Sequence, residues 1–192
     1  MEDWQQYVKT LAAALDGVTV TSADGTLSCA DGVRRWVEIT REAQTRGRSI
    51  YLIGNGASAA MASHFAADAC KNAGLRALAF NDASLLTAIS NDVSFDDVFA
   101  LPILRLSHPG DLLISISSSG RSPNIVRALE AGRSVSMAIV TLSGKSADNP
   151  SRALGDLNFY VPNQHYGFVE SAHMMILHYW LDRYLSISGR GV

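Results

Sequence analysis

The sequence predicts a three-layer α/β fold built on a parallel five-stranded sheet, with a helical extension at the N-terminus. Three observations carry that reading. Short aliphatic runs recur at residues 49–53, 75–80, 111–116, 135–142 and 157–161, each bounded by Gly, Pro or polar residues. Helical spacing fills most of the gaps between them, and such alternation means parallel strands, because a parallel pair needs a long crossover. The 192 residues are 47% hydrophobic and 18% charged, enough for one substantial core but not two. A single domain is therefore expected over residues 1–192, with N-terminal helices in 1–47 and an α/β core in 48–187.

Taken in order, Trp4, Tyr7, Val8, Leu11, Ala12 and Leu15 repeat at helical intervals. Val33, Trp36, Val37 and Thr40 do so again after a break at Asp24-Gly25, so two amphipathic helices are expected before any strand. The first strand stops at Gly54-Asn55-Gly56 and a helix follows over 58–72. The strand at 75–80 is followed by a helical stretch, and the strand at 111–116 by a helix over 123–132 that opens on Pro123. The strand at 157–161 leads through Pro162 and Gly167 to a C-terminal helix over about 169–185.

A formal charge of -2, with Lys and Arg scattered, gives no basic face for a nucleic-acid backbone. Cys29 and Cys70 form neither a metal-knuckle spacing nor a disulfide framework, which fits a reducing compartment. The N-terminal segment is acidic and polar where a signal peptide would be basic and then apolar. No aliphatic run approaches the roughly 18 residues that span a bilayer. A cytoplasmic protein without a membrane partner is expected.

In open parallel sheets ligands sit outside the carboxyl ends of the strands, so the loops there are the candidates. Gly54-Asn55-Gly56-Ala57-Ser58-Ala59 joins a strand to a helix, where backbone amides face an anion and glycines allow close approach. It also fits a dinucleotide fingerprint, for which Asp82 would be the ribose-binding acid, and it fits a plain tight turn. Ser117-Ser118-Ser119-Gly120-Arg121-Ser122-Pro123 places four hydroxyls and a guanidinium ahead of a helix N-terminus, a cradle for a phosphate monoester. A bare N-cap would need only one of those serines. His64 and Asp68 are four residues apart and share a helix face, while Glu170, His173 and His178 fall on the apolar C-terminal helix. A histidine in so apolar a helix is either a satisfied core residue or a functional one.

Together, Gly54-Asn55-Gly56-Ala57-Ser58, His64-Phe65-Ala66, Asn91-Asp92 with Phe95 and Asp97-Val98-Phe99, and Ser117 to Ser122 resemble the phosphoheptose isomerases of the SIS (sugar isomerase) family, in order and from about Trp4 to Leu185. The resemblance implies a sugar-phosphate substrate, sedoheptulose 7-phosphate, a homotetramer with shared active sites, a zinc ion and no nucleotide cofactor. It places Asn55, Gly56, Ala57 and Ser58 in a first substrate loop and Asn91 and Asp92 in a second. Ser117, Ser118, Ser119 and Ser122 become the phosphate loop. His64, Asp68, Glu170 and His178 fall on the metal positions, with Asp68 and His178 carrying the proton transfers and Glu170 also touching substrate.

Several departures stand out, among them Ala57 at the third position of the glycine loop. Asp68 is one methylene shorter than the family's Glu, Glu170 replaces a neutral amide, and Gly167-Phe168-Val169-Glu170-Ser171 stands where an Arg-Ile-Gln-Glu run is usual. The resemblance also extends to non-catalytic SIS regulators, which lack a histidine at the position of His178. Glu170 and His178 are eight residues apart, roughly 12 Å along a regular helix. Either the last helix starts after Glu170, or the two residues serve one site from different chains.

Overall fold

The computed structural model describes residues 3–189. Helix α1 (Trp4–Asp16) starts where the Asp3 carboxylate accepts the Gln6 N–H at 2.8 Å, and α2 (Cys29–Thr45) starts where Ser28 does the same for Asp31. Between them the chain departs from expectation. The break at Asp24-Gly25 is the turn of a β-hairpin, β1 (Thr19–Ser22) and β2 (Gly25–Leu27), with Gly25 at φ 120°. Only Val20 of β1 is fully buried, so the strand has no apolar run to announce it.

The remaining elements alternate: β3 (Ile50–Gly54), α3 (Ala57–Lys71), β4 (Ala77–Ala79), α4 (Ala83–Asp92), α5 (Ala100–Leu106), β5 (Leu112–Ser117), α6 (Pro123–Ser134), β6 (Ala138–Gly144), α7 (Pro150–Leu154), β7 (Leu157–Val161) and α8 (Tyr166–Ser188). The sheet has seven strands in the order β2-β1-β7-β6-β5-β3-β4. Its five parallel strands are those expected from the sequence; β1 adds antiparallel to β7, and β2 to β1. The N-terminal segment is thus part of the sheet as well as a helical extension.

Strand parity sorts the core into two layers. Ile50, Leu52, Leu112, Ile114, Val140 and Leu142 face α1, α2, α3 and α8, while Tyr51, Ile53, Leu113 and Ile139 face α4, α5 and α6. On the first side Trp36 and Trp180 stack at 4.7 Å, and the Trp180 indole N–H donates to Thr40 Oγ1 at 3.0 Å, which seats α8 on α2. No helix among the described residues is long and apolar enough to cross a membrane.

β3 sends its chain outward to β4 on one side, while β5 lies on the other side of β3. That reversal is the switch point of the sheet. The loops after β3 and β5 therefore open side by side, each running into a helix.

Candidate functional site

The loop after β3 is shaped by glycine. A Cβ on Gly54 would lie 2.6 Å from the Ser58 carbonyl carbon, and Gly56 holds φ 55° at the head of α3, where no side chain caps the helix. The loop after β5 turns at Gly120, φ 61°, where a Cβ would meet Asn149 Oδ1 at 2.1 Å. Ser151 Oγ and N–H both donate to the Gly120 carbonyl, and Asn149 donates to Ser143 Oγ and the Ser146 carbonyl. Both Asn149 and Ser151 are buried, so the serine loop is clasped from behind.

These two loops enclose a cavity of about 150 Å³ lined by Asn55, Ser58, Ile116, Ser117, Ser118, Ser119, Ser122, Tyr166 and Glu170. Ser122 stands at the N-cap of α6 yet makes no side-chain capping bond, which leaves its hydroxyl to the cavity. With the uncapped N-termini of α3 and α6 beside it, this is a cradle for an anion.

Two residues that shape the cradle, one behind it and one in its wall, were not legible as such. Asn124, buried in the first turn of α6, exchanges two hydrogen bonds with Asn55: each amide N–H₂ donates to the other's carbonyl oxygen, at 2.9 and 2.8 Å. That pair fixes the Asn55 side chain in the cradle. A buried Asn inside a helix was the available signal, since such a residue must find a partner. Tyr166 is the other, a wall residue whose position depended on α8 starting before residue 169.

Arg121 does not enter the cradle. Past the turn at Gly120 it points outward, its guanidinium 2.7 Å from Asp148 and near Ser146. Asp82, the candidate ribose acid, instead caps α4 by accepting the Leu85 N–H. Asn91 and Asp92 end α4, exposed and bonded to each other at 2.7 Å, and they line neither the cradle nor the cleft beside it.

That cleft, about 570 Å³, is lined by Ala57, Ala60, Met61, His64, Glu170, Ser171 and Met174. Glu170 and the start of α3 belong to both spaces, so the cradle opens past a carboxylate into an apolar groove that reaches an imidazole. His64 Nε2 lies 3.4 Å from Asp68 Oδ2, and its ring centroid is 5.9 Å from that of His178. His178 also meets Phe65 edge-on at 4.8 Å. Asp68, His64 and His178 thus form a surface row across α3 and α8.

His173 separates clearly from His178. It is fully buried, Nε2 lies 3.2 Å from the Ser143 carbonyl, and Nδ1 is without a partner; burial lowers its pKa to about 4. It is the neutral core histidine of the helix.

The two ways of reconciling Glu170 with His178 are now reduced. α8 is continuous from Tyr166, so both residues sit on one helix and the first alternative falls. Among the described residues no group of three or more His, Cys, Asp or Glu side chains is placed to hold one metal ion. Within one protomer His64, Asp68, Glu170 and His178 therefore do not fit a zinc site: two turns of α8 separate the last two.

A family model for the SIS domain matches residues 6–144. Phosphoheptose isomerases from Shewanella sp. strain ANA-3 and Shewanella loihica are each 34% identical over 170 residues, covering 84% of this chain and 86% of theirs. The phosphoheptose isomerase structure from Neisseria gonorrhoeae superposes with a TM-score of 0.82 at 28% identity, covering 95% of both chains. That from Francisella tularensis gives 0.82 at 23% identity over 94% of this chain and 95% of its own, a likeness of fold.

Proposed function

Because the chain belongs to the SIS domain family, and within it to the phosphoheptose isomerases, we propose that it is an aldose-ketose isomerase converting sedoheptulose 7-phosphate to D-glycero-D-manno-heptose 7-phosphate through an enediol. One observation carries this: a hydroxyl-lined cradle at the sheet's switch point opens past Glu170 into a groove ending at His64. A phosphate held in the cradle directs the rest of the sugar along that groove.

The reaction moves a proton from the carbon beside the carbonyl to the neighbouring carbon and shifts another between the two oxygens. A carboxylate and an imidazole suffice. We assign Asp68 to the carbon-bound proton and His178 to the oxygens, with His64, 3.4 Å from Asp68 and beside His178, holding the two in relation. The presence of His178 favours this over a non-catalytic phosphosugar-binding role.

The site is proposed to be completed by a second protomer in a homotetramer. Exposed apolar side chains support it: Trp4 is 72% exposed and stacks on Tyr7 of α1, and Met175 and Tyr179 of α8 are 52% and 40% exposed. Asn91 and Asp92 would then enter from a neighbour. A divalent ion remains part of the proposal through its donor set, two imidazoles and two carboxylates, which suits zinc once more than one chain contributes. Bound there, such an ion would supply Lewis-acid polarisation of substrate oxygens. Elemental analysis of protein purified without chelator is expected to show it. Less than a tenth of an equivalent, with activity unchanged by chelation, would remove it from the proposal.

The function is tested by incubating the protein with a panel of ketose phosphates and following aldose formation. Conversion of the seven-carbon substrate, with little of the five- and six-carbon ones, is expected. Binding without turnover on every member would leave a phosphosugar-binding protein instead.

A further inference from the structure

A phosphate monoester carries nearly two negative charges near neutral pH. Yet no residue lining the cradle is a Lys or Arg, and one is the Glu170 carboxylate. Two guanidiniums on the adjoining segments are engaged elsewhere. Arg121 pairs with Asp148, and Arg152 donates to the Ala147 carbonyl while stacking on Tyr160 at 4.5 Å.

Lys145 stands differently. Its ammonium lies 3.2 Å from the ring centroid of Tyr166, the aromatic wall of the cradle. Its backbone takes φ 58°, a left-handed conformation unusual for a residue with a side chain. Three hydrogen bonds hold it there: its N–H donates to the Asn163 carbonyl, and its carbonyl accepts from Tyr160 OH and from Gln164 Nε2. The preceding Gly144 is pressed against α8, where a Cβ would overlap Val169 at 2.6 Å. A strained conformation fixed from every side is a reason to look for a role.

We propose that Lys145 is the phosphate-binding cation of the cradle, its ammonium resting on Tyr166 in the empty protein and turning onto the phosphate when substrate enters. This rests on the cradle being the phosphate seat. The flexible stem of a lysine permits the turn, and a compact ammonium suits a phosphate as a point charge. Tyr166 offers the free cation an aromatic face, so that it is held beside the seat without a competing carboxylate. The cation also offsets the repulsion that Glu170 would exert on an arriving anion.

The experiment uses the full chain and inorganic phosphate, alone and as a competitive inhibitor, beside sugar-phosphate kinetics. Lys145→Met is expected to weaken phosphate binding and raise KM roughly tenfold, with kcat changed by less than about threefold; Lys145→Arg should recover most of the loss. Ser119→Ala serves as the reference for the cradle. If Ser119→Ala weakens phosphate binding and Lys145→Met does not, the inference is overturned and the cradle stands. If neither does, both fall. A loss in kcat at unchanged KM would also overturn the inference, by moving Lys145 out of binding. Should Lys145→Met melt well below the parent, Lys145→Asn, which tolerates left-handed backbone, repeats the test with the same outcomes.

Discussion

The cradle and the row of Asp68, His64 and His178 are built on opposite plans. The cradle is finished within one chain: Gly120 is held from behind by Asn149 and Ser151, Asn55 is locked to Asn124, and much of its lining is buried. The row lies on an open surface, with His64 and Asp68 on α3 and His178 across from them on α8. On the proposed function, recognition is preorganised within the chain and chemistry is completed by assembly. A cradle that needs no partner should bind phosphate in a dissociated protomer, and a row that does need one should be inactive there.

The largest expected effect separates the two regions directly. His178→Ala should lower turnover by about 10²-fold or more, the scale of a lost general acid or base, while phosphate binding stays within about twofold. Steady-state kinetics beside calorimetry with inorganic phosphate measures both. Equal losses in the two readouts would mean that the row and the cradle are one unit.

A second result concerns assembly. Asp92→Ala, which removes a group proposed to enter from a neighbour, and His178→Ala, each impaired alone, should regain part of the parental activity when mixed after partial dissociation and reassociation. Hybrid sites would then draw one intact residue from each chain. Mixtures that stay impaired despite proven subunit exchange would show that each chain carries its own complete site, and a monomer by light scattering would do the same.

What was legible in the sequence follows the same division. The five parallel strands and the two loops at the switch point carry local signals, apolar runs and glycines whose backbone the turn requires. The hairpin of β1 and β2 did not, because its burial comes from docking on β7 and α2 rather than from its own composition. Arg121 was misplaced for a related reason. Its sequence neighbours are the cradle serines, but the left-handed turn at Gly120 directs it to Asp148, which lies 27 residues away. Relations between separate elements, such as Asn55 after β3 with Asn124 of α6, are made by the fold and leave no local signal.

A smaller effect should come from the cradle. Ser119→Ala removes one hydroxyl of several, so KM should rise about fivefold with kcat nearly unchanged, the signature of lost uniform binding. Substrate-saturation curves decide it. A fall in kcat at constant KM would place Ser119 with the row instead.

The smallest effect on activity is expected at His173, which lies on the same helix as His178 but belongs to neither region. A carbonyl can only accept, so the ring must carry its proton on Nε2 to donate to Ser143, and Nδ1 is left buried without a partner. His173→Gln keeps a donor and should hold turnover within about threefold. Its consequence lies in stability. The folded pKa is lowered to about 4 from the usual 6.5, so between those values the unfolded chain binds the proton and the folded one does not. Stability therefore rises with pH across that window, levels off above 6.5, and falls as acid is added, by up to roughly 1.4 kcal/mol per pH unit from this group alone. Carboxylates contribute to the same acid limb, so the measurement is a difference: denaturant unfolding of the parent and of His173→Gln at pH 7 and pH 5. The variant should lose less stability between the two. Parallel losses would mean that His173 takes up its proton in the folded state, and that the end of β6 holds more water around Ser143 than its buried contacts imply.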